Sequence, residues 1–543
     1  MEKIWLSSYD KGVKSELDLS IKESMADVII NSAKKFSDKI AIKEDKEDGR
    51  VINYTQFNEL TSTIAGNLRL FGIEKQDKVC ILLPNCVETL LAFWSIGRAG
   101  IVGVMTNPLY SEGELIHQIN DSDSKTVITT DTLLPKVKAI MDKISVDTIF
   151  VVKLGDSEIE YDDVIRPWDD LLAPNRGYTC KNLDPMEDLA LLQYTGGTTG
   201  ISKGCMITHY NLISNAHQYE SNFMVVLKEG QEKFVAVMPL FHIYGLQISG
   251  IFPILNGCAI IPMTRFTPRA LLALIQKEKI TAMASAPSIF SACLCQKDID
   301  SYDLTSMKLV ISGSAPLPVA LIEKFEKQTG AMISEGYGLS EASPVTHFSP
   351  LFFKDRKKGS IGIPLASTDV KIVDVEYGVK ELKAGQNGEL CVRGPQVMKG
   401  YYKQPAATEE VIVDGWLHTG DIAMYDKDGF FYITDRKKDL IICGGYNVYP
   451  REIEEVLFKH PKVSEAVVIG IKDSVRGEAV KAFVVPVAGE TVDKNELVQY
   501  CRKYLANYKL PREIEFRESL PKNAVGKILR RQLRDEELAK GSK

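Results

Sequence analysis

What most restricts the fold of this chain is a change of hydrophobic period that repeats through its first quarter. Met25, Val28, Ile29 and Phe36 recur at helical spacing, and residues 39–44 then alternate as a strand does. Residues 53–71 read as a helix, 78–84 as a buried strand, 87–99 as a second helix and 101–107 as another strand. Ser111 followed by Glu114 is a capping-box pair opening a helix that ends near Asn120, and 125–130 adds a further strand. Parallel strands need a long crossover between them, usually a helix, so this alternation predicts an α/β fold with mostly parallel, layered sheets.

The pattern changes after about residue 355. Short strands at 370–375 and 388–394, with several glycines, predict a β-rich subdomain, and 428–435 leads into the charged run 436–439. Beyond it a compact α+β unit is expected. Pro450 suits a first helical turn with Ile453 and Val456 on its apolar face, and 465–471 and 481–487 read as strands. Leu497, Cys501 and Leu505 mark one helix, and Ile528, Leu529 and Leu533 a terminal one. The organisation is a large N-terminal domain, 1–436, and a small mobile C-terminal domain, 437–543.

With 543 residues, 45% hydrophobic and 25% charged, the chain has ample material for a packed core, which excludes disorder, collagen and coiled coil. Its 66 basic and 72 acidic side chains leave a net charge of −6, which gives a nucleic-acid partner no support but leaves room for a local basic groove. The ten cysteines are dispersed and include no CxxC, so free thiols in a reducing compartment are expected. Acidic residues interrupt the N-terminus where a signal peptide needs an apolar run, so the protein reads as cytoplasmic. Residues 246–264 carry no charge and approach membrane-spanning length, but Pro253, Asn256, Gly257 and Pro262 break them into a helix, a turn and a strand, all buried.

The chemistry concentrates at 191–204. A buried strand opens there into a loop with Gly196, Gly197, Gly200 and Gly204, the hydroxyls of Thr195, Thr198, Thr199 and Ser202, and Lys203. Glycines let backbone N–H groups converge on phosphate oxygens, hydroxyls add donors or a Mg²⁺ ligand, and the lysine adds a mobile charge. It is not a Walker loop, because Lys203 is followed by Gly204 and Cys205, nor does it have the GxGxxG spacing.

YTGGTTGISKG (194–204) resembles the phosphate loop of the adenylate-forming superfamily, which includes acyl-CoA synthetases, aryl-CoA ligases, luciferases and peptide-synthetase adenylation domains. Four more stretches fit in family order: MPLFHIYG (238–245), GYGLSEASP (336–344), the segment 415–454, and PKNAVGKILRR (521–531). Residues 1–9 and 415–454 look most like bacterial long-chain fatty acid–CoA ligases. The resemblance implies that a fatty acid and ATP form acyl-AMP and pyrophosphate, and that CoA then displaces AMP. Carboxylate and triphosphate are both anions, so positive charge and positioning should dominate the first step.

Residue by residue, the resemblance implies that Glu341 and Thr195 hold Mg²⁺. Gly196, Gly197, Thr198, Thr199, Gly200 and Lys203 would bind phosphates, with Gly313, Tyr337, Gly338 and Ser340 around the nucleotide. Most relatives have Thr where Ser340 stands, and the hydroxyl survives. Asp421 matches the ribose-binding carboxylate and Arg436 an arginine reaching ribose or phosphates. His242 matches a histidine at the carboxylate-entry side. Lys527, which composition alone reads as one more exposed lysine, matches the mobile catalytic lysine. Lys438 matches the hinge, and Gly444 and Gly445 would approach the CoA pantetheine, although Ile442 and Cys443 stand where several relatives carry lysine. No nucleic acid is implied; a monomer or homodimer is expected, with any membrane contact peripheral. An aryl-CoA or medium-chain ligase would share every motif. A noncatalytic binding module would have no need of Lys527.

Overall fold

The computed structural model describes residues 3–195, 202–314, 317, 319–352, 357, 359–443, 446–473, 477–487, 489–523 and 526–541. The expected alternation produces two large sheets. In the eight-stranded one, Val102–Met105, Lys78–Ile81 and Thr126–Thr130 are central, and the pairings from Leu189–Tyr194 through to Ile165–Pro167 are parallel. Two antiparallel strands, Gly204–Thr208 and Gly400–Tyr401, complete its other edge. The nine-stranded sheet is parallel from Met332–Gly338 through Leu309–Ser312, Ala282–Ser285, Lys233–Ala236 and Ala259–Pro262 to Ile40–Lys43.

One continuous apolar core lies between these layers. The helix Val87–Arg98 is buried at every position, as a helix without a polar face must be. Phe57 and Phe93 meet Trp94 edge-on, at ring separations of 6.4 and 5.9 Å. Capping boxes at Ser24, Asn53, Ser111 and Thr208 start four of the surrounding helices by satisfying N-terminal N–H groups.

The uncharged stretch 246–264 folds much as expected. A buried π-helical turn, Gln247–Ile251, joins two short helices, and Ala259–Pro262 is a fully buried strand. Gly257 turns the chain between them at φ +67°, where a Cβ would fall 2.5 Å from the Phe36 ring. Among the described residues no helix is long and apolar enough to cross a membrane.

The β-rich part is antiparallel. Gly388–Arg393 lies between Asp369–Val373 and Trp416–Tyr425, and Phe431–Arg436 pairs with the latter. Its own core of Val370, Ile372, Leu390 and Phe431 takes in Trp5, which meets Phe431 edge-on at 6.2 Å, so the start of the chain is folded onto its later part. The C-terminal sheet is built on Val463–Asp473 and Gly477–Pro486, with Glu513–Phe516 added in parallel. Two expectations need correction there. Leu505 packs into this core but lies beyond the helix Lys494–Arg502, and Ile528 and Leu529 precede the terminal helix Arg530–Gly541. The ten cysteines are free thiols, all buried except Cys295.

Candidate active site

A cleft of about 3440 Å³ runs between the large body and the C-terminal unit. Its walls include Thr195, Lys203, His242, Gly313, Tyr337, Gly338, Ser340, Glu341, Asp421, Arg436, Lys438 and Lys527, so every motif residue that the structure describes meets in one place. Gly196, Gly197, Thr198, Thr199, Gly200, Gly444 and Gly445 lie outside the described residues.

One side is set by sheet register. Asp421 and Arg436 are direct partners on antiparallel strands, and Arg436 Nε reaches Asp421 Oδ1 at 3.2 Å. The Tyr337 hydroxyl donates to Asp421 Oδ2 at 2.6 Å, and burial next to that carboxylate pushes the phenol well above its ordinary pKa. Tyr337 in turn pairs across the strands with the buried His347, their rings 5.8 Å apart. Gly338 must be glycine, since a Cβ would fall 2.0 Å from the Pro344 carbonyl oxygen.

The next wall carries Glu341, in a 3₁₀ turn at Ser340–Ala342. Tyr401 donates its hydroxyl to Glu341 Oε1 at 2.7 Å, and Met398 N–H donates to the Glu341 carbonyl at 2.8 Å. Lys203 lies 4.9 Å over the Tyr401 ring, and Thr195 N–H donates to the Lys203 carbonyl at 3.0 Å, closing the neck of the glycine loop. Sequence reasoning did not select Tyr401. Its signal, a Gly-Tyr pair two hundred residues from the loop, means something only once Gly400–Tyr401 pairs with Gly204–Thr208. No group of three or more His, Cys, Asp or Glu side chains among the described residues forms a metal cluster. One carboxylate with a neighbouring hydroxyl instead fits a hard cation that fills its shell with phosphate oxygens and water.

Lys527 sits on a small hairpin. Asn523 N–H donates to the Lys527 carbonyl and Lys527 N–H to Asn523 Oδ1, both at 2.9 Å. The turn residue Gly526, at φ +80°, lies so close to Ser288 of the large body that a Cβ would meet its Oγ at 2.8 Å. This docking corrects the expectation of an exposed lysine: Lys527 is half-buried in the cleft. Loss of solvent, then Arg436, with Lys438 and Arg530 adding to it, lowers its pKa to about 7 against the opposing pull of Asp421. His242 caps the helix Ile243–Leu246, where its Nδ1 accepts from Tyr244 N–H at 3.3 Å. Burial, and secondarily the Lys527 charge, push it down to about 4, so the ring is neutral with its proton on Nε2.

Beside the 3₁₀ turn Lys437–Asp439 lies a carboxylate that the motifs did not single out. Asp435 accepts from Arg436 N–H at 2.7 Å and from Arg451 N–H at 2.9 Å, and its burial raises it to about 6.

Residues 30–402 match the AMP-binding enzyme family, and residues 452–527 match the AMP-binding enzyme C-terminal domain. The chain belongs to the AMP-binding enzymes. Within that family it is 42% identical to a long-chain-fatty-acid–CoA ligase of Bacillus subtilis (strain 168), covering 99% of this chain and 98% of the relative. A long-chain-fatty-acid–CoA ligase of Escherichia coli O157:H7 is 38% identical over the same shares. The 4-coumarate–CoA ligase 1 of Solanum tuberosum is 35% identical over 90% of each chain. Among solved structures, ATP-bound MatB from Rhodopseudomonas palustris superposes with a TM-score of 0.85 at 29% identity, covering 94% of this chain and 98% of its own. The anthranilate CoA ligase AuaEII with anthranoyl-AMP gives 0.86 at 26%, covering 97% and 100%. As an AMP-binding enzyme the chain thus places its motif residues around a cleft with both large-body and C-terminal walls.

Proposed function

We propose that this AMP-binding enzyme is a long-chain fatty acid–CoA ligase. The observation that carries the reading is identity of 34–42% along the whole chain to ligases of that name. In the first half-reaction a carboxylate oxygen attacks the α-phosphorus of ATP. The bond to the bridging oxygen breaks, and pyrophosphate leaves with the electron pair. Asp421 accepts from the ribose hydroxyls, Tyr337 lies against the adenine, and Arg436 and Lys203 hold phosphate charge. Lys527, arriving from the C-terminal unit, bridges carboxylate and α-phosphate where two anions must meet. Thr195 and Glu341 would hold Mg²⁺, which supplies charge neutralisation for the leaving pyrophosphate. Neutral His242 offers Nε2–H as a donor at the carboxylate side.

In the second half-reaction the CoA sulfur attacks the acyl carbonyl, the mixed-anhydride C–O bond breaks, and AMP leaves with the electrons. Division into 1–436 and 437–543 about Lys438 lets one cleft serve both steps, with Gly444 and Gly445 moving toward the pantetheine. An apolar arm of the cleft, along Phe241, Ile248, Ile311, Val345 and Phe348 to Phe223, is the natural path for an acyl chain. Long-chain acids partition into bilayers, so this reading includes a visit to a membrane surface, peripheral because no described helix is long and apolar enough to cross one.

The test is pyrophosphate release across acids of graded chain length, with and without CoA. Long saturated or monounsaturated acids should be preferred. A profile peaking at benzoate, a cinnamate or a short acid would assign the aryl or short-chain reading instead.

A further inference from the structure

Glu389, in the strand Gly388–Arg393, is only 4% exposed, and a carboxylate so buried must be compensated by donors and charge. Its oxygens meet three partners. Oε1 accepts from Gly420 N–H at 3.2 Å, while Oε2 lies 3.3 Å from His418 Nδ1 and 3.0 Å from the Lys437 ammonium. Of these Lys437 is the one permanently cationic group.

The positions of those partners give the carboxylate its meaning. Gly420 immediately precedes Asp421, and Lys437 immediately follows Arg436, the two residues that face each other across the strand pair. Lys437 also opens the hinge turn Lys437–Asp439, directly upstream of Lys438. One buried oxygen pair therefore grips both strands where they deliver the Asp421–Arg436 pair. It also ties the last residue before the pivot to the large body. A hinge swings about a defined axis only if one side is anchored, and no other ion pair among the described residues involves Lys437.

We propose that Glu389 is a positioning residue for adenylation, through two separable contacts. Its bond to Gly420 aims Asp421 and Arg436 at the nucleotide, and its ion pair with Lys437 anchors the hinge so that Lys527 arrives in register. This rests on the ligase reading above for the reaction it serves, but not on the identity of the acid. The ion pair is asymmetric, with the Glu389 side chain 5% exposed and that of Lys437 43% exposed. Removing the lysine therefore leaves a buried charge short of its cation, whereas an amide at 389 keeps an acceptor for Gly420 without the charge.

That asymmetry allows dissection. Glu389→Gln and Lys437→Ala should each slow acyl-AMP formation about tenfold in kcat, leave KM for ATP within about twofold, and show no further loss when combined. Conversion of supplied acyl-AMP and CoA to thioester should change far less. Glu389→Ala should add a rise in KM for ATP, because the turn before Asp421 loses its acceptor. Failure of that third variant to fold would leave the Gln and Ala pair to decide. Additive losses in the double variant would overturn the anchor, as would wild-type adenylation by Lys437→Ala. Equal damage to both half-reactions, alongside a lowered melting temperature in every variant, would mean a structural role only. Absence of all adenylation in the wild-type chain, with any acid, would count against the ligase reading instead.

Discussion

Removing the charge of Lys527 gives the most direct test of how the cleft works. The fall of this side chain from 10.5 to about 7 corresponds to about 5 kcal/mol against its charged form in the substrate-free cleft, at about 1.36 kcal/mol per tenfold change. Bound ATP and carboxylate are opposite charges, so they restore the ammonium and raise its pKa again. The signs follow. Below about pH 7 the free enzyme carries Lys527 charged, and as pH rises through 7 that charge is lost. The kcat/KM for adenylation should therefore fall on the alkaline side with a pKa near 7, while the limb in kcat, set by the ternary complex, lies higher. His242, held near 4, stays neutral throughout and cannot supply that limb. Lys527→Arg keeps a charge at every pH and should lose the limb, although its fork fits the site less well. Lys527→Ala should reduce pyrophosphate release by about 10²–10³-fold, the size expected for one preorganised transition-state contact. Synthetic acyl-AMP should still be converted to acyl-CoA at an appreciable rate. Pyrophosphate release by the alanine variant at near wild-type rate would refute the assignment, and an unchanged limb in the arginine variant would refute the electrostatic account.

Proline at Lys438 fixes φ near −65° and should preserve adenylation while thioester formation collapses; equal loss of both would end the hinge argument. Each methylene buried in the apolar arm contributes about 0.8 kcal/mol, so kcat/KM should climb several-fold per two carbons until the chain meets its end wall. Gly338→Ala would push a Cβ to 2.0 Å from the Pro344 carbonyl, so ATP should no longer raise the melting temperature of that variant, as a thermal shift assay would read. Burial lowers His217, but its bonds to Glu220 and Glu23 outweigh it and raise the imidazole to about 9. The stability this supplies is complete below about pH 6.5 and lost as pH rises through 9. Thermal melts of His217→Gln between pH 7 and 10 should accordingly be flatter than those of the native chain.

The elements that sequence revealed best are those whose pattern is local. The capping box at Ser111 announces a helix, and residues 78–84 are apolar enough to declare a strand. Strand order was not legible. Ile40–Lys43 pairs on one side with Val51–Asn53, its neighbour in sequence, but on the other with Ala259–Pro262, more than two hundred residues away. That choice depends on which helix faces cover which layer. The motif residues picked out by resemblance to the adenylate-forming superfamily line one cleft. Glu389, Tyr401 and Asp435 were missed, since a buried carboxylate or phenol acquires its role from partners brought by distant strands. Lys527 was found by its motif and misjudged by composition. Its burial depends on the Gly526 contact with Ser288, which no local pattern encodes.

The pairing of Gly400–Tyr401 with Gly204–Thr208 also has a consequence for biosynthesis. Until residue 401 leaves the ribosome, the strand that follows the glycine loop is an open sheet edge, with unpaired N–H and C=O groups able to recruit another chain. At about 5–20 residues per second, the interval lasts on the order of 10–40 s. Trp5, made almost first, waits still longer for Phe431. A nascent chain of this kind spends about a third of its synthesis, from residue 208 to residue 401 of 543, with both its first aromatic anchor and its sheet edge uncovered, which makes elongation speed and chaperone access part of what determines the yield of folded enzyme.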